Sequence, residues 1–496
     1  MIYWPNQPKD RALPEDTHII PENLPIFMTG GWDCIFIRGT LNNYQYGLAN
    51  HAVSDKGLIV GPWYHFDGTL GLDSVSDKSF IARWFDWKIK KIDDPFMIDF
   101  PVILYVMGEH KWRAEKSWPL PESRLESKYL FLSKKAPSII DSDKHSQKNE
   151  ENAYSLVEKT NSSDYSGENP ILKHNPNCLH GITSKSSVKW LGGLAAANAQ
   201  KKMITQGIEP EKTPYWEDER YDERGTLTFT TDPIDKDIEI IGPLALTFWA
   251  ETIFYRKSIQ NLIDGFVDFL KIILNVDEEK HSVPEMIDQK DVQWVIEISD
   301  VYPDGRSKNI TAGWLSSQHR PYNPSEPTEI DPFYVPFDPY YDAADKHPNT
   351  IKEDKIYKYI VEIWPTDMVF KKGHRIRVNV SASDFPHLLP ILRPSKNTII
   401  IDEDHKARLD FKTTNTEDEG TTWKWINDSN KSSIPEEFEA ANSYLMTHTD
   451  KPIENIESKT LSSTGSMNEK KEAESDTSFG DNGGSSCFIQ TIFFDN

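Results

Sequence analysis

The sequence of 496 residues contains only three cysteines, and these lie far apart, at positions 34, 178 and 487. Their number and spacing exclude a disulfide framework and a thiolate zinc site. They fit a reducing compartment. The first residues also lack the basic segment and apolar segment of a secretory signal, so the sequence favours a cytoplasmic location.

Long apolar runs and an excess of positive charge are also missing. No run approaches the roughly 18 apolar residues that a membrane-spanning helix needs, so we expect no membrane span. Lys and Arg number 55 against 78 Asp and Glu, which gives a net charge of −23. Binding to nucleic acid requires clustered Lys and Arg, so we expect no nucleic-acid partner. No cofactor motif or metal-ligand spacing is present, and we expect neither group.

An apolar run that ends in glycine and proline is the most informative feature of the sequence. Leu58, Ile59 and Val60 are typical of a strand buried on both faces, and Gly61-Pro62 ends it. His65 then follows the carboxyl end of the strand, where open α/β sheets assemble their sites. Imidazole is well suited to proton transfer near neutral pH, although a lone histidine in a loop more often bonds to a nearby carbonyl.

A second short apolar run precedes the first and ends in an acid. Residues 24–29 are followed by Gly30-Gly31-Trp32-Asp33, and residues 37–53 are long enough for one helical crossover. The order is therefore strand, acid, helix, strand and histidine. The acid and the histidine of a Ser-Asp-His triad occur in this order in α/β-hydrolases.

Several longer motifs carry a resemblance to a known family. Residues 29–44 and 58–65 resemble the CocE/NonD (cocaine-esterase) family of serine hydrolases, relatives of the X-prolyl dipeptidyl aminopeptidases. Further segments resemble the family's region after the histidine and its C-terminal β-domain. These segments are 83–86, 101–108, 112–113, 118–121, 300–306, 364–365, 370–377 and 381–386.

The resemblance implies a fold and a function. The fold is α/β plus all-β: the C-terminal part of an α/β-hydrolase, then a jelly-roll β-sandwich. The implied function is serine acyl transfer on small-molecule esters, amides or X-Pro peptides, with His65 as base and Asp33 as the residue that orients it. The alternative is an inactive remnant whose jelly-roll domain serves binding or assembly.

The acid motif departs from the family pattern by one residue. Alignment on Trp32 and Phe36 places Cys34 where the family has its aspartate, and Asp33 one position earlier. A turn could absorb this shift, whereas on a regular strand Asp33 would point to the opposite face. Both alternatives stay open at this point. A minor third possibility is that Cys34 and His65 form a thiol nucleophile pair.

The second departure from the family pattern concerns the nucleophile. No G-x-S-x-G motif occurs in the sequence, and too few residues precede Asp33 to hold a nucleophile elbow. The sequence therefore resembles a truncated hydrolase. We expect it to associate with a separate N-terminal hydrolase segment or to form a homo-oligomer, because the missing strands would leave an unpaired sheet edge.

Composition and periodicity divide the sequence into five regions. We predict an extended lead-in (1–22), a partial α/β-hydrolase domain (23–132) and a polar linker or insertion (133–185). A jelly-roll domain (186–426) with a helical insertion at about 255–285 follows, and then a disordered tail (427–496).

Three local patterns give specific predictions within these regions. A helix should open near Ser76 or Asp77 and carry an apolar stripe, while Tyr129 should lie in a short strand. In the β-domain, residues 292–299 and 375–381 alternate between apolar and polar side chains. This alternation predicts strands with one buried face each, the second having Ile376, Val378 and Val380 toward the core.

Overall fold

A computed structural model describes most of the two predicted domains. The described residues are 24–48, 50–63, 74–138, 152–175, 218–220, 222–255, 290–320, 350–384, 387–388, 391, 393–414, 419 and 423–426. His65, the predicted lead-in 1–22, the helical insertion and the tail 427–496 lie outside the described residues.

Five strands form a small mixed sheet. Its order is β1 (Ile26–Gly31), β2 (Lys56–Gly61), β3 (Val102–Val106), β4 (Lys111–Glu115) and β16 (Trp423–Trp425). The first three strands are parallel, and the remaining pairs are antiparallel. β3 and nearly all of β2 are buried along their length, as their continuous apolar sequences predict.

In the described part of the chain, three α-helices accompany this sheet. α1 (Ile37–Asn42) lies in the crossover between β1 and β2 and continues as a π-helical turn, Asn43–Gly47. α2 (Ser74–Lys88) follows β2, and α3 (Pro95–Asp99) precedes β3. The Asp94 side chain begins α3, because it accepts hydrogen bonds from two backbone N–H groups of the first turn.

The apolar stripe predicted for α2 is only partly in the core. Phe80 and Trp84 are buried, whereas Phe85, Ile89 and Ile92 are more than half exposed. The helix ends at Lys88. Ile89 and Ile92 therefore lie beyond the end of α2 and do not belong to the face of the helix that packs on the sheet.

The remaining eleven strands form a large, mainly antiparallel sheet. Its order is β11, β10, β13, β8, β6, β5, β15, β9, β14, β7, and β12 also pairs with β9. In chain order the strands are β5 (Leu125–Ser133), β6 (Ala153–Val157), β7 (Ile171–His174), β8 (Leu227–Thr230), β9 (Ile238–Phe254), β10 (Gln293–Val301), β11 (Ser307–Ser316), β12 (Ile356–Phe370), β13 (Arg375–Ser381), β14 (Ser395–Ile400) and β15 (Arg408–Thr414).

The region predicted as a polar linker contains ordered elements. β6 pairs with β5 and β8, and β7 pairs with β14. Leu156 is the one buried residue of β6, so its sequence shows no apolar alternation. The linker prediction is therefore wrong for Ala153–Val157 and Ile171–His174, which are held by backbone pairing to neighbouring strands.

The register of β13 agrees with the prediction, but the number of buried faces does not. Ile376, Val378 and Val380 are at most 2% exposed. The polar face is buried as well: Asn379 Nδ2 donates to Ser299 Oγ at 3.0 Å, and Ser299 Oγ donates to Glu219 Oε2 at 2.8 Å. Glu219 and Glu223 cover this face, so the prediction of one buried face is wrong for β10 and β13.

Candidate active site

The carboxyl ends of β1 and β2 lie side by side. The two strands are parallel and in register, so that Gly31 is opposite Gly61. The pairing continues one residue further, where the Trp32 N–H donates to the Gly61 carbonyl at 2.9 Å. The segments that follow the two strands therefore leave the sheet as neighbours at one edge.

Both terminal glycines are required by the packing of Trp63. A Cβ atom on Gly31 would lie 2.0 Å from the Trp63 carbonyl oxygen, and one on Gly61 would lie 2.4 Å from the indole ring. Trp63 itself is buried and packs against Trp112 with ring centroids 5.6 Å apart. The segment after β2 is thus held against the end of β1.

We expect Gly31→Ala to lower the free energy of unfolding by about 1–3 kcal/mol, because backbone atoms must move to admit the methyl group. Urea denaturation would measure the change. Gly39→Ala in α1 is the matched control, since nothing lies within 4 Å of its added Cβ. Equal stability of the two variants would contradict the close contact between Trp63 and β1.

A tight turn carries Asp33. The Cys34 N–H donates to the Gly31 carbonyl at 3.0 Å, and the Ile37 N–H donates to the Cys34 carbonyl at 3.2 Å where α1 begins. Asp33 is therefore on a turn and not on a continued strand, and its side chain is buried. Of the two alternatives left open by the sequence, the turn is the one that forms.

The neighbours of Asp33 are fixed on both sides. The Trp32 indole N–H donates to the Tyr105 carbonyl at 2.7 Å, which ties the turn to β3. Cys34 is a buried thiol whose Sγ accepts the Phe36 N–H at 3.4 Å. His65 lies two residues beyond the described part of this segment, so contact between Asp33 or Cys34 and the imidazole stays a prediction.

An ion pair that sequence reasoning missed ties the acid turn to the large sheet. Arg38, in the first turn of α1, donates from Nε to both carboxylate oxygens of Glu362 on β12 at 2.9 Å. The two residues are 324 positions apart, and no local pattern links them. The one sequence feature that points to this ion pair is the basic residue Arg38, shortly after the acid motif.

The end of β3 is joined to β12 by the backbone. The Met107 N–H donates to the Asp367 carbonyl at 2.9 Å, and the Val369 N–H donates to the Met107 carbonyl at 2.8 Å. Gly108 follows with a φ of +80°. Its added Cβ would lie 2.2 Å from the Val369 carbonyl oxygen, so the close approach of the two sheets requires glycine.

Within the described ranges, no group of three or more His, Cys, Asp and Glu side chains is arranged to hold a metal ion. Among the described helices, none is long and apolar enough to span a membrane.

Comparisons with known proteins identify the family. The family model of the X-Pro dipeptidyl-peptidase C-terminal non-catalytic domain matches residues 98–253 and 285–422. A Mycobacterium bovis protein named as a serine esterase is 22% identical over 71% of this chain and 45% of its own length. The cocaine esterase of a Rhodococcus species is 20% identical over 73% of this chain and 49% of its own.

One solved structure supports the fold. An alpha-amino acid ester hydrolase has a TM-score of 0.51 and 14% identity, and the match covers 79% of this chain and 56% of that one. The chain thus spans about half the length of the curated relatives that it matches. Because the family model covers more than half of the 496 residues, the chain belongs to the family of the X-Pro dipeptidyl-peptidase C-terminal domain, within the CocE/NonD hydrolases.

Proposed function

We propose that this chain supplies the acid and the base of a CocE/NonD serine hydrolase. The observation that carries the proposal is the register of β1 and β2, in which Gly31 lies opposite Gly61. The turn that bears Asp33 begins directly after Gly31, and His65 comes four residues after Gly61. Parallel strands bring both segments to one edge of the sheet, which favours a carboxylate–imidazole pair.

In the proposed reaction, a serine from outside this sequence attacks the carbonyl carbon of an ester, an amide or an X-Pro peptide. His65 takes the serine proton and then gives it to the leaving group, and water repeats the cycle on the acyl-enzyme. Asp33 keeps the imidazole in one orientation and stabilises its charged form. The esterase and ester hydrolase names of the related proteins support an acyl-transfer substrate.

The large sheet gives support to a jelly-roll domain beside this site. Its pairings are antiparallel apart from that of β6 with β8, and β9 and β12 are long strands of 17 and 15 residues. We infer that this domain holds the acid turn in place, because Glu362 pairs with Arg38 and because β12 bonds to Met107.

The edge of the small sheet indicates how a nucleophile could be added. In the described part of the chain, β1 pairs with β2 only and is an edge strand, while the opposite edge ends in β16. A separate hydrolase segment could extend the parallel sheet at β1 and place its nucleophile elbow beside Asp33. A second copy of this chain could cover the same edge, but it would bring no elbow.

The test is an activity assay of the purified chain with short acyl esters and X-Pro anilides, alone and mixed with an N-terminal CocE/NonD segment that carries the elbow. We expect no turnover and no fluorophosphonate labelling by the chain alone, because the proposal places the serine and the oxyanion donor that follows it on the separate segment. In the mixture, turnover should appear, and His65→Ala should lower it about 10²- to 10⁴-fold.

Two outcomes would contradict the proposal. Turnover by the chain alone that is abolished by His65→Ala would place a nucleophile within this sequence, and Cys34→Ala would then identify the thiol. A stable mixed complex that is inactive would instead favour the non-catalytic alternative, in which the β-rich domain serves binding. Asp33→Asn in an active mixture separates the roles of acid and base, since it leaves the imidazole present.

A further inference from the structure

Five ionisable side chains meet where the small sheet lies against the large one. Arg113 and Glu115 are on β4, Arg124 is on the 3-10 turn that precedes β5, Glu239 is on β9, and Asp367 is on β12. All five are less than a tenth exposed. We name them the junction cluster, because they join strands of both sheets.

Arg113 stands at the centre of the junction cluster. It donates from Nη1 to Glu239 Oε1 at 2.6 Å and from Nη2 to Asp367 Oδ2 at 2.9 Å. Its Nε is 2.8 Å from Glu115 Oε1, and Arg124 Nη1 donates to Glu115 Oε2 at 2.6 Å. Each carboxylate thus has a guanidinium partner.

Two carboxylate oxygens of the junction cluster, Asp367 Oδ1 and Glu115 Oε1, are buried without a hydrogen-bond partner. Glu115 Oε1 still lies 2.8 Å from Arg113 Nε as an ion pair, whereas the ion-pair contact of Asp367 is made by its other oxygen, Oδ2. Trp423 lies over both guanidinium groups, with its ring centroid 5.7 Å from Arg113 Cζ and 5.4 Å from Arg124 Cζ. The indole ring limits the access of water from that side.

The charges of the junction cluster do not balance. Three carboxylates face two guanidinium groups, so the fully ionised cluster carries one uncompensated negative charge in a buried place, which is costly. The Glu239 and Asp367 carboxyl groups lie side by side, because they accept from the two terminal nitrogens of the same Arg113 guanidinium at 2.6 and 2.9 Å. Two carboxyl groups bond to each other only when a proton lies between them.

The electrostatic environment favours protonation of Asp367. Burial raises the pKa of Asp367 well above its ordinary value, Arg113 opposes this rise, and Glu239 and Glu115 add to it. Burial also raises the pKa of Glu115, against the effect of Arg113 and Arg124. The pKa of Arg113 is raised by its three acidic neighbours although burial lowers it, so Arg113 stays charged.

We propose that the junction cluster holds one proton between Asp367 and Glu239, and that release of this proton loosens the contact between the two sheets beside the acid turn. Two hydrogen bonds through β3 connect Asp367 of the junction cluster to the acid turn. The Asp367 carbonyl accepts the Met107 N–H, and two residues earlier the Tyr105 carbonyl accepts the Trp32 indole N–H. The inference does not depend on hydrolase activity, since it concerns the contact between the sheets.

The sign of the pH effect follows from linkage. In the unfolded chain Asp367 titrates near pH 4. In the folded chain one proton stays bound to higher pH, so the folded state binds more protons between about pH 4 and the raised pKa of Asp367. The stability therefore falls as the pH rises through this window.

The first experiment measures Tm as a function of pH for the wild type, Asp367→Asn and a control. We expect the Tm of the wild type to fall with rising pH and that of Asp367→Asn to fall much less, because the amide has no proton to release. Glu126→Gln removes an exposed carboxylate of β5 and should keep the wild-type slope. Equal slopes in the wild type and Asp367→Asn would overturn the proposal.

A second experiment uses the wild type alone, in case Asp367→Asn does not fold. The infrared carbonyl band of a buried protonated carboxyl should be present at neutral pH and disappear as the pH rises. Over the same window, the opening constant of the Met107 amide, corrected for intrinsic exchange, should rise up to about tenfold per pH unit, while that of Ile103 within β3 should not. Absence of the band, or equal behaviour of the two amides, would overturn the proposal.

Discussion

Replacement of Arg113 by methionine is expected to lower the free energy of unfolding by about 3–5 kcal/mol. The guanidinium contacts Glu115, Glu239 and Asp367 in a place without access to water. Methionine has a similar length but no charge, so the variant leaves three buried carboxyl groups with a single guanidinium, that of Arg124. Denaturant unfolding followed by tryptophan fluorescence would measure the loss.

Lys90→Met is the matched control for this prediction. Lys90 and Asp86 form an ion pair at 2.6 Å, the same separation as Arg113 and Glu239, but the side chains of the surface pair are 66% and 42% exposed. Exposed pairs contribute about 0–1 kcal/mol, so the control should be close to the wild type. A loss below about 1 kcal/mol for Arg113→Met would mean that the junction cluster does not hold the two sheets together.

The sequence predicts strands well where burial is complete or alternates strictly. Leu58, Ile59 and Val60 form a continuous apolar run and lie in a strand buried on both faces. The alternation of Ile376, Val378 and Val380 likewise gives the right register. In both strands the apolar pattern reflects direct contact with the core, so the pattern and the fold agree.

Prediction fails where burial depends on distant polar partners. Ser299 and Asn379 would be assigned to a solvated face by their chemistry, but they are buried and hydrogen-bonded to Glu219 and Glu223. Such contacts join parts of the chain that are about 80 to 160 positions apart. No local periodicity records them. The ion pair of Arg38 with Glu362 could not be predicted for the same reason, because its two residues are 324 positions apart.

The candidate site shows the same contrast between features that the sequence predicts and features that depend on tertiary contacts. The placement of Asp33 after β1 follows from the apolar run and the glycines, and in the structure Asp33 does follow this strand. The sequence could not choose between a turn and a continued strand. That choice depends on the packing of Trp63 against Gly31 and on the bond of Trp32 to Tyr105, which are tertiary contacts.

The arrangement of the two sheets connects the site to the rest of the molecule. β12 provides Glu362 to Arg38 of α1, Asp367 to Arg113, and backbone bonds to Met107. These contacts lie along one strand of 15 residues. A change in β12 should therefore reach the acid turn through α1 and through the end of β3, and the β-rich domain has a structural part in holding the site.

Val378→Asp is expected to destabilise the β-rich domain by several kcal/mol, because a carboxylate would be buried without a partner. Val378 is fully buried in β13, where it lies opposite Ile298 of β10 and Phe229 of β8. Ile356→Asp is the control, since it places the same charge on a β-branched strand position that is 47% exposed. We expect the control to lose less than about 1 kcal/mol in urea unfolding. Similar losses for the two variants would show that the register of β13 is wrong.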